Sequence, residues 1–242
     1  MLDLSVIEIV LGIFIVTLGA FTQGSIGFGF ALVSAPLLML VNVNYVPGPI
    51  ITAALLTAGL ISFRERRSAE LGKIKWLVVG RIIGNLIGAA IIAYISVTKF
   101  TIMFGVLVIL AVFLSASGLH VKVNIKNMIS AGFLSGFMGT TVSIGGPPAA
   151  LLFQHERGPR FRATMSNFFM IGVVFSILSL TIMGEFGLNE LVLGISLMPG
   201  VIIGVYISRH MTKKLDQHAI RPYVLGLSGI SGFLAIVKVF IF

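Results

Sequence analysis

The sequence predicts an all-α, polytopic integral membrane protein built as two inverted-topology repeats. Each repeat is a helical hairpin followed by three transmembrane helices, 8–10 membrane segments in all. Three observations carry this prediction. Apolar runs of membrane-crossing length recur along the chain, basic residues gather in alternate connections, and one glycine-serine-threonine block occurs twice.

The apolar runs come first. The chain has 242 residues, 57% hydrophobic and only 10% charged, with a mean hydropathy of +1.09. Soluble domains carry about 25% charged residues, so this chain cannot cover itself with polar surface in water. Apolar segments fall at 4–22, 26–41, 48–63, 76–97, 99–118, 127–139, 147–154, 163–183, 188–207 and 220–241. Several reach the roughly 20 residues that cross a bilayer. The N-terminus carries Asp3 and Glu8 and no Lys or Arg, the wrong sign for a secretory signal peptide, and is read as a mature membrane segment. With no cysteine there is no disulfide framework, thiolate nucleophile or iron–sulfur site.

The basic residues orient these segments. Net charge is +9, yet the Lys and Arg form short clusters without a basic arm, an aromatic stacking platform or zinc-finger spacing, so nucleic acid is not the expected partner. All but three of the 17 Lys and Arg lie in four connections, 64–75, 119–126, 155–162 and 208–221. Connections 41–48 and 184–189 hold none. Positively charged loops stay in the cytoplasm, which puts the four basic connections inside and the others outside. That holds only if 127–154 enters the membrane, turns at Gly139–Gly146 and leaves by the same face. The same logic makes 4–41 a hairpin. Residues 1–120 then form one repeat (hairpin 4–41; spans 48–63, 76–97 and 99–118) and 121–242 its inverted partner (hairpin 127–154; spans 163–183, 188–207 and 220–241). Both termini are expected outside.

Internal matches agree with this division. "TQGSIGFGFAL" (Thr22 to Leu32) aligns with "TTVSIGGPPAA" (Thr140 to Ala150), sharing Thr22/Thr140, Ser25/Ser143, Ile26/Ile144, Gly27/Gly145 and Ala31/Ala149. "RIIGNLIGAAI" from Arg81 aligns with "LMPGVIIGVYI" from Leu197, sharing Gly84/Gly200 and Gly88/Gly204. Small residues at this spacing let membrane helices approach closely, so these four glycines are expected to let the halves pack and slide.

The repeated block is the candidate site. In the second copy Gly145 and Gly146 make a turn and Pro147-Pro148 suit a first helical turn, so a half-helix is expected to begin near 147, deep in the membrane. The first copy should begin another near Phe28–Phe30. Free amides and the positive end of the helix dipole suit an anion. Candidate ligands are the amides of Gly27, Gly29, Gly145 and Gly146, the hydroxyls of Thr22, Ser25, Thr140, Thr141 and Ser143, the Gln23 amide and Asn167. The bland alternative is that Gly, Ser and Thr merely pack helices tightly.

Charge patterning gives the sign of the substrate. Every Asp, Glu and His lies in a connection or near a segment end, whereas cation carriers and proton relays keep such groups at mid-depth. Arg81 is the one strongly basic residue inside a span; five residues beyond Trp76, it is expected to snorkel to the inner interface ahead of touching substrate. Asn85, one turn deeper, is read first as an interhelical hydrogen bond. No His-Glu-x-x-His, Gly-x-Ser-x-Gly or Walker loop occurs, so no enzyme, metal site or cofactor is expected.

At these residues the chain resembles a known family. "GFMGTTVSIGGPPAALLF", "RATMSNFFMIG" and "LMPGVIIGVYISRHMTKKLDQ" look like the second half of the sulfite exporter TauE/SafE family, and "GSIGFGFALVSAPLLML" and "VVGRIIGNLIGAAIIAYIS" fit its first half. The resemblance covers nearly the whole chain. It implies a multi-pass permease of a bacterial-type inner membrane for sulfite, an organosulfonate such as sulfoacetate, or a small carboxylate. It maps the family's glycine-rich motif onto Gly24, Ser25, Gly27 and Gly29 and onto Ser143, Gly145 and Gly146. "SIGGPP" departs from the three or more glycines common there, which bears on substrate size. The expected function is therefore alternating-access transport of a small anion held at paired hairpin tips. The expected partners are that anion and the lipid bilayer, and a homodimer is allowed. An anion channel and a non-transporting scaffold subunit are the competing readings.

Overall fold

A computed structural model of the chain describes residues 5–211 apart from 120, 154, 155 and 157, together with 225, 226, 229, 230, 233, 234 and 237. The described residues form helices and no strand. The helices up to residue 211 are α1 (Val6–Ile26), α2 (Phe30–Val41), α3 (Gly48–Arg64), α4 (Lys75–Tyr94), α5 (Val97–Ala116), α6 (Ile125–Thr141), α7 (Gly146–Leu152), α8 (Gly158–Ile182), α9 (Leu188–Ser196) and α10 (Met198–Met211). Four of them, α1, α4, α5 and α8, are long and apolar enough to cross a membrane, and the bent pair α9–α10 makes a fifth candidate. The chain is thus a multi-pass helical membrane protein. The expected last span, 220–241, lies largely outside the described residues.

Local chemistry sets the helix ends. Ser5 opens α1 with a capping box: the Glu8 amide donates to Ser5 Oγ (3.2 Å) and the Ser5 amide to Glu8 Oε2 (2.7 Å). The break between α1 and α2 needs glycine, because Gly27 (φ 103°) and Gly29 (φ 111°) both adopt left-handed backbone. At the other hairpin the turn falls on Ser143, a left-handed non-glycine residue (φ 64°), before Gly145 and the two prolines open α7.

Two elements differ from the sequence reading. The span expected at 163–183 begins at Gly158, since Arg160 and Arg162 end the apolar run but not the helix; they pair with Glu70 (3.0 Å) and Glu65 (2.9 Å). The span expected at 188–207 is broken into α9 and α10 at a 42° bend. Pro199 lies just past the break, and its missing N–H removes the hydrogen bond that would carry the helix through.

Helix packing rests on two parallel pairs in which backbone touches backbone. Along α4 and α6, a methyl group at Gly80, Gly84 or Gly132 would overlap the carbonyl oxygens of Ile129, Phe133 and Leu77 respectively. Along α1 and α10, methyls at Gly200 and Gly204 would overlap the carbonyls of Ile13 and Thr17. The rising order of partners in each pair shows that both helices run the same way. The α3–α8 contact fills the space between these pairs. Outward-facing side chains such as Phe14, Ile83, Leu110, Phe113 and Ile203 are apolar and exposed, a surface that requires lipid.

The two ends of the bundle differ in charge. Connections 64–75 and 155–162 meet the end of α10 at one end, through Arg64, Glu65, Arg162 and Ser208. Parallel packing on α4 brings the start of α6, with Lys126, to this same end. At the opposite end Asn42 donates to Glu8 (2.9 Å), and Glu185 and Glu190 line a cavity with Val43, Asn44 and residues 46–49. The Tyr45 hydroxyl there donates to the Glu8 carbonyl (3.0 Å); burial, with the Glu8 carboxylate, pushes its pKa up to about 12, so it stays neutral.

Gly84→Ala is expected to lower the melting temperature of the detergent-purified protein by about 5 °C or more, because α4 and α6 must separate. Gly59→Ala, with no atom within 4 Å of the added carbon, should leave it unchanged or slightly raised. Equal shifts for both would show that the glycine contacts do not hold the bundle together.

Candidate functional site

The two hairpin breaks meet inside the bundle. The Gly146 backbone lies against the side chain of Phe28, with an added carbon at Gly146 only 3.5 Å from Phe28 Cβ. Beside this contact is a cavity of about 40 Å³, lined by Gln23, Gly29 to Leu32, Ala54, Arg81, Ser143 to Pro147, Phe169 and Val173. By the usual allowance that is room for roughly three waters, the size of a compact oxyanion. Helix α2 begins at its edge at Phe30, and α7 begins at Gly146. Because α7 has only seven residues, its dipole contributes little, and the strong positive charge comes from elsewhere.

That charge is Arg81. It is 3% exposed and does not snorkel, which corrects the sequence reading. The reason is packing. Three glycines leave the volume the side chain fills: a methyl at Gly172 would overlap the guanidinium, and carbons at Gly139 and Gly145 would sit 3.2 and 3.3 Å from its terminal nitrogens, while Gly136 makes room for the Arg81 backbone carbonyl. Nη1 donates to Ser135 Oγ (3.0 Å), and Ser135 Oγ donates to the Gly145 carbonyl, tying the guanidinium to the second hairpin tip. The guanidinium carbon lies 4.6 Å from the centre of the Phe168 ring and 5.7 Å from that of Phe169. Nε is buried with no hydrogen-bond partner, and no carboxylate pairs with Arg81 among the described residues.

The other expected residues divide into two groups. Gln23, Gly29, Ser143, Gly145 and Gly146 line the cavity with Arg81. Gln23 is 5% exposed and its amide makes no hydrogen bond to the described protein, whereas Ser143 Oγ donates to the Pro47 carbonyl (3.3 Å). Thr22, Ser25, Gly27, Thr140, Thr141, Asn85 and Asn167 do not line it. Thr22, Thr141 and Asn167 donate back to carbonyls one turn earlier, Leu18, Phe137 and Ala163. Thr140 bonds Ser176 (2.9 Å), and Asn85 Nδ2 donates to the Gly172 carbonyl (2.9 Å), joining α4 to α8. Ser25 Oγ is buried without a partner, and Gly27 packs on Phe161 and Arg162. Gly84 and Gly88 face α6, and Gly200 and Gly204 face α1.

Sequence reasoning missed Ser135, Phe168 and Phe169. Ser135 had a signal, since it falls with Gly132, Gly136 and Gly139 on one small-residue face of α6. The phenylalanines had none, because nothing separates them from lipid-facing ones. Also missed was the cluster that closes the basic end. Arg64 donates to Glu65, Ser208 Oγ (3.0 Å) and the Gly24 carbonyl (2.7 Å), and Arg162, 7% exposed, holds the same Glu65 oxygen with Nε (3.0 Å) and Nη2 (2.9 Å). The Phe28 and Phe161 rings meet edge-on at 6.3 Å beside it. Among the described residues no group of three or more His, Asp or Glu converges as a metal site would.

The sulfite exporter TauE/SafE family model matches residues 11–234, which takes in both hairpins and the cavity. The chain belongs to the sulfite exporter TauE/SafE family. No curated protein and no solved structure matches the chain. Family membership and the apolar helical bundle together make it a membrane permease, a protein of a transporter family.

Glu65→Gln leaves buried Arg162 without its counter-charge and should destabilise the detergent-purified protein by about 3 kcal/mol. Arg160→Gln removes only the pair in which the arginine is 61% exposed, and should cost under about 1 kcal/mol. Thermal melts of the two variants measure the difference, and equal losses would show that the Glu65 cluster is not a structural closure.

Proposed function

We propose that this TauE/SafE permease moves a small anion, sulfite, an organosulfonate or a small carboxylate, by alternating access, with the anion held where the hairpin tips meet. The observation that carries the reading is Arg81. An enclosed guanidinium without a carboxylate is costly in a membrane interior. An anion in the adjoining cavity would supply the missing charge, with the Gln23 amide and the backbone at Ser143 to Gly146 as further partners. The same residues repel a cation.

Residues 1–120 and 121–242 are proposed as inverted repeats that rock about this point. Two features support this: α4 lies along the first arm of the second hairpin and α10 along the first arm of the first, an exchange that a two-fold relation in the membrane plane would generate. The excess of basic residues at one end of the bundle supports a cytoplasmic placement of that end.

The test uses the full chain in proteoliposomes loaded with sulfite or methanesulfonate. The wild type should show saturable uptake and counterflow, and Arg81→Gln should reduce the rate at least about 100-fold while keeping a normal melt, the scale of losing a charge-assisted hydrogen bond in a dry site. Gly146→Leu, which enters the cavity from a position where an added carbon makes only ordinary contacts, should do the same. Parental rates in both variants would remove the site assignment, and a conductance without counterflow would make the protein a channel.

A further inference from the structure

We infer that the site takes monoanions and discriminates against dianions, so that its substrates are sulfonates, hydrogensulfite or monocarboxylates and not sulfate or the doubly charged sulfoacetate. This rests on the proposed transport site and narrows its substrate class. Among the described residues, Arg81 is the only ionisable one that lines the cavity. The elements packed around the guanidinium present Ser135 and Gly139 from α6, Gly145 from the hairpin tip, and Phe168, Phe169 and Gly172 from α8, none of which carries a charge. The Arg64–Glu65–Arg162 cluster contributes no side chain to the cavity wall.

One fixed positive charge balances one negative charge. A bound monoanion gives a neutral pair in a low-dielectric enclosure, while a dianion leaves a whole uncompensated charge there, which is costly. The neutral donors on the wall, the Gln23 amide and the tip backbone, stabilise an oxyanion through dipoles but add no formal charge. The rest of the wall argues the same way. Phe30, Ala31, Leu32, Ile144, Phe169 and Val173 are apolar, so one face of the occupant meets hydrocarbon. Methanesulfonate and sulfate isolate this contrast, because they have nearly the same shape and differ in a methyl group against a charged oxygen.

The experiment is equilibrium binding of radiolabelled methanesulfonate and sulfate to the detergent-purified full chain, at one pH and ionic strength. Methanesulfonate should bind at least about tenfold tighter than sulfate, the least discrimination expected from one unbalanced buried charge. Its binding should be lost in Arg81→Gln. Gln23→Lys, which adds a second cation to the same wall, should shift the ratio at least about tenfold toward sulfate, with a thermal melt to confirm folding. Equal affinities, or tighter sulfate binding, that still depend on Arg81 would overturn the monoanion inference and leave the transport site standing. Binding of neither ion, or binding unaffected by Arg81→Gln, would overturn the site itself and the inference with it.

Discussion

The centre of this bundle is arranged around one buried guanidinium that pairs with no carboxylate among the described residues. Arg81 fills space that Gly139, Gly145 and Gly172 vacate, so these glycines are explained by a side chain from another helix as much as by helix contact. Remove the glycines and the arginine must leave; remove the arginine and the second hairpin tip loses its tie through Ser135 to Gly145. The desolvation cost of that charge is met in part by the Ser135 hydroxyl and the faces of Phe168 and Phe169, and Nε remains unmatched.

The scaffold that tolerates this is held by backbone-to-backbone contact. In hydrocarbon there is little hydrophobic gain from bringing helices together, so close packing and polar contacts must do it. The α4–α6 and α1–α10 pairs use glycine for this purpose, and each pair joins a helix before residue 120 to one after it. The hairpin tips are thereby carried by elements from both ends of the chain. The polar contacts between helices, Asn85 to Gly172 and Thr140 to Ser176, lie next to these seams and fix α8 against them.

Closure at the two ends follows different chemistry. At the basic end, Arg64 of α3 and Arg162 of α8 share Glu65, Arg64 also donates to Ser208 of α10 and to the Gly24 carbonyl near the end of α1, and the Phe28–Phe161 contact lies beside them. At the other end the contacts are neutral donors: Ser143 donates to the Pro47 carbonyl, Tyr45 to the Glu8 carbonyl and the Asn42 amide to the Glu8 carboxylate. At this end lies a wider cavity lined by Val43, Asn44 and residues 46–49 with Glu185 and Glu190.

The sequence by itself determined the membrane class, the positions of most helices, both hairpin breaks and the family. Composition, charge placement and glycine or proline punctuation are local properties that survive without a fold. Glycine spacing in "RIIGNLIG" and "LMPGVIIG" marked the close seams in advance, because only a missing side chain permits them. What only the tertiary structure decided is which polar groups reach the cavity. Thr22, Thr141 and Asn167 turn back onto their own helices, a competition that composition does not reveal. Arg81 had two destinations from the sequence, the interface or the interior, and the choice depended on empty volume contributed by glycines on two other helices. That volume exists only once the helices are packed, which is why the central charge of the site could not be read from the chain alone.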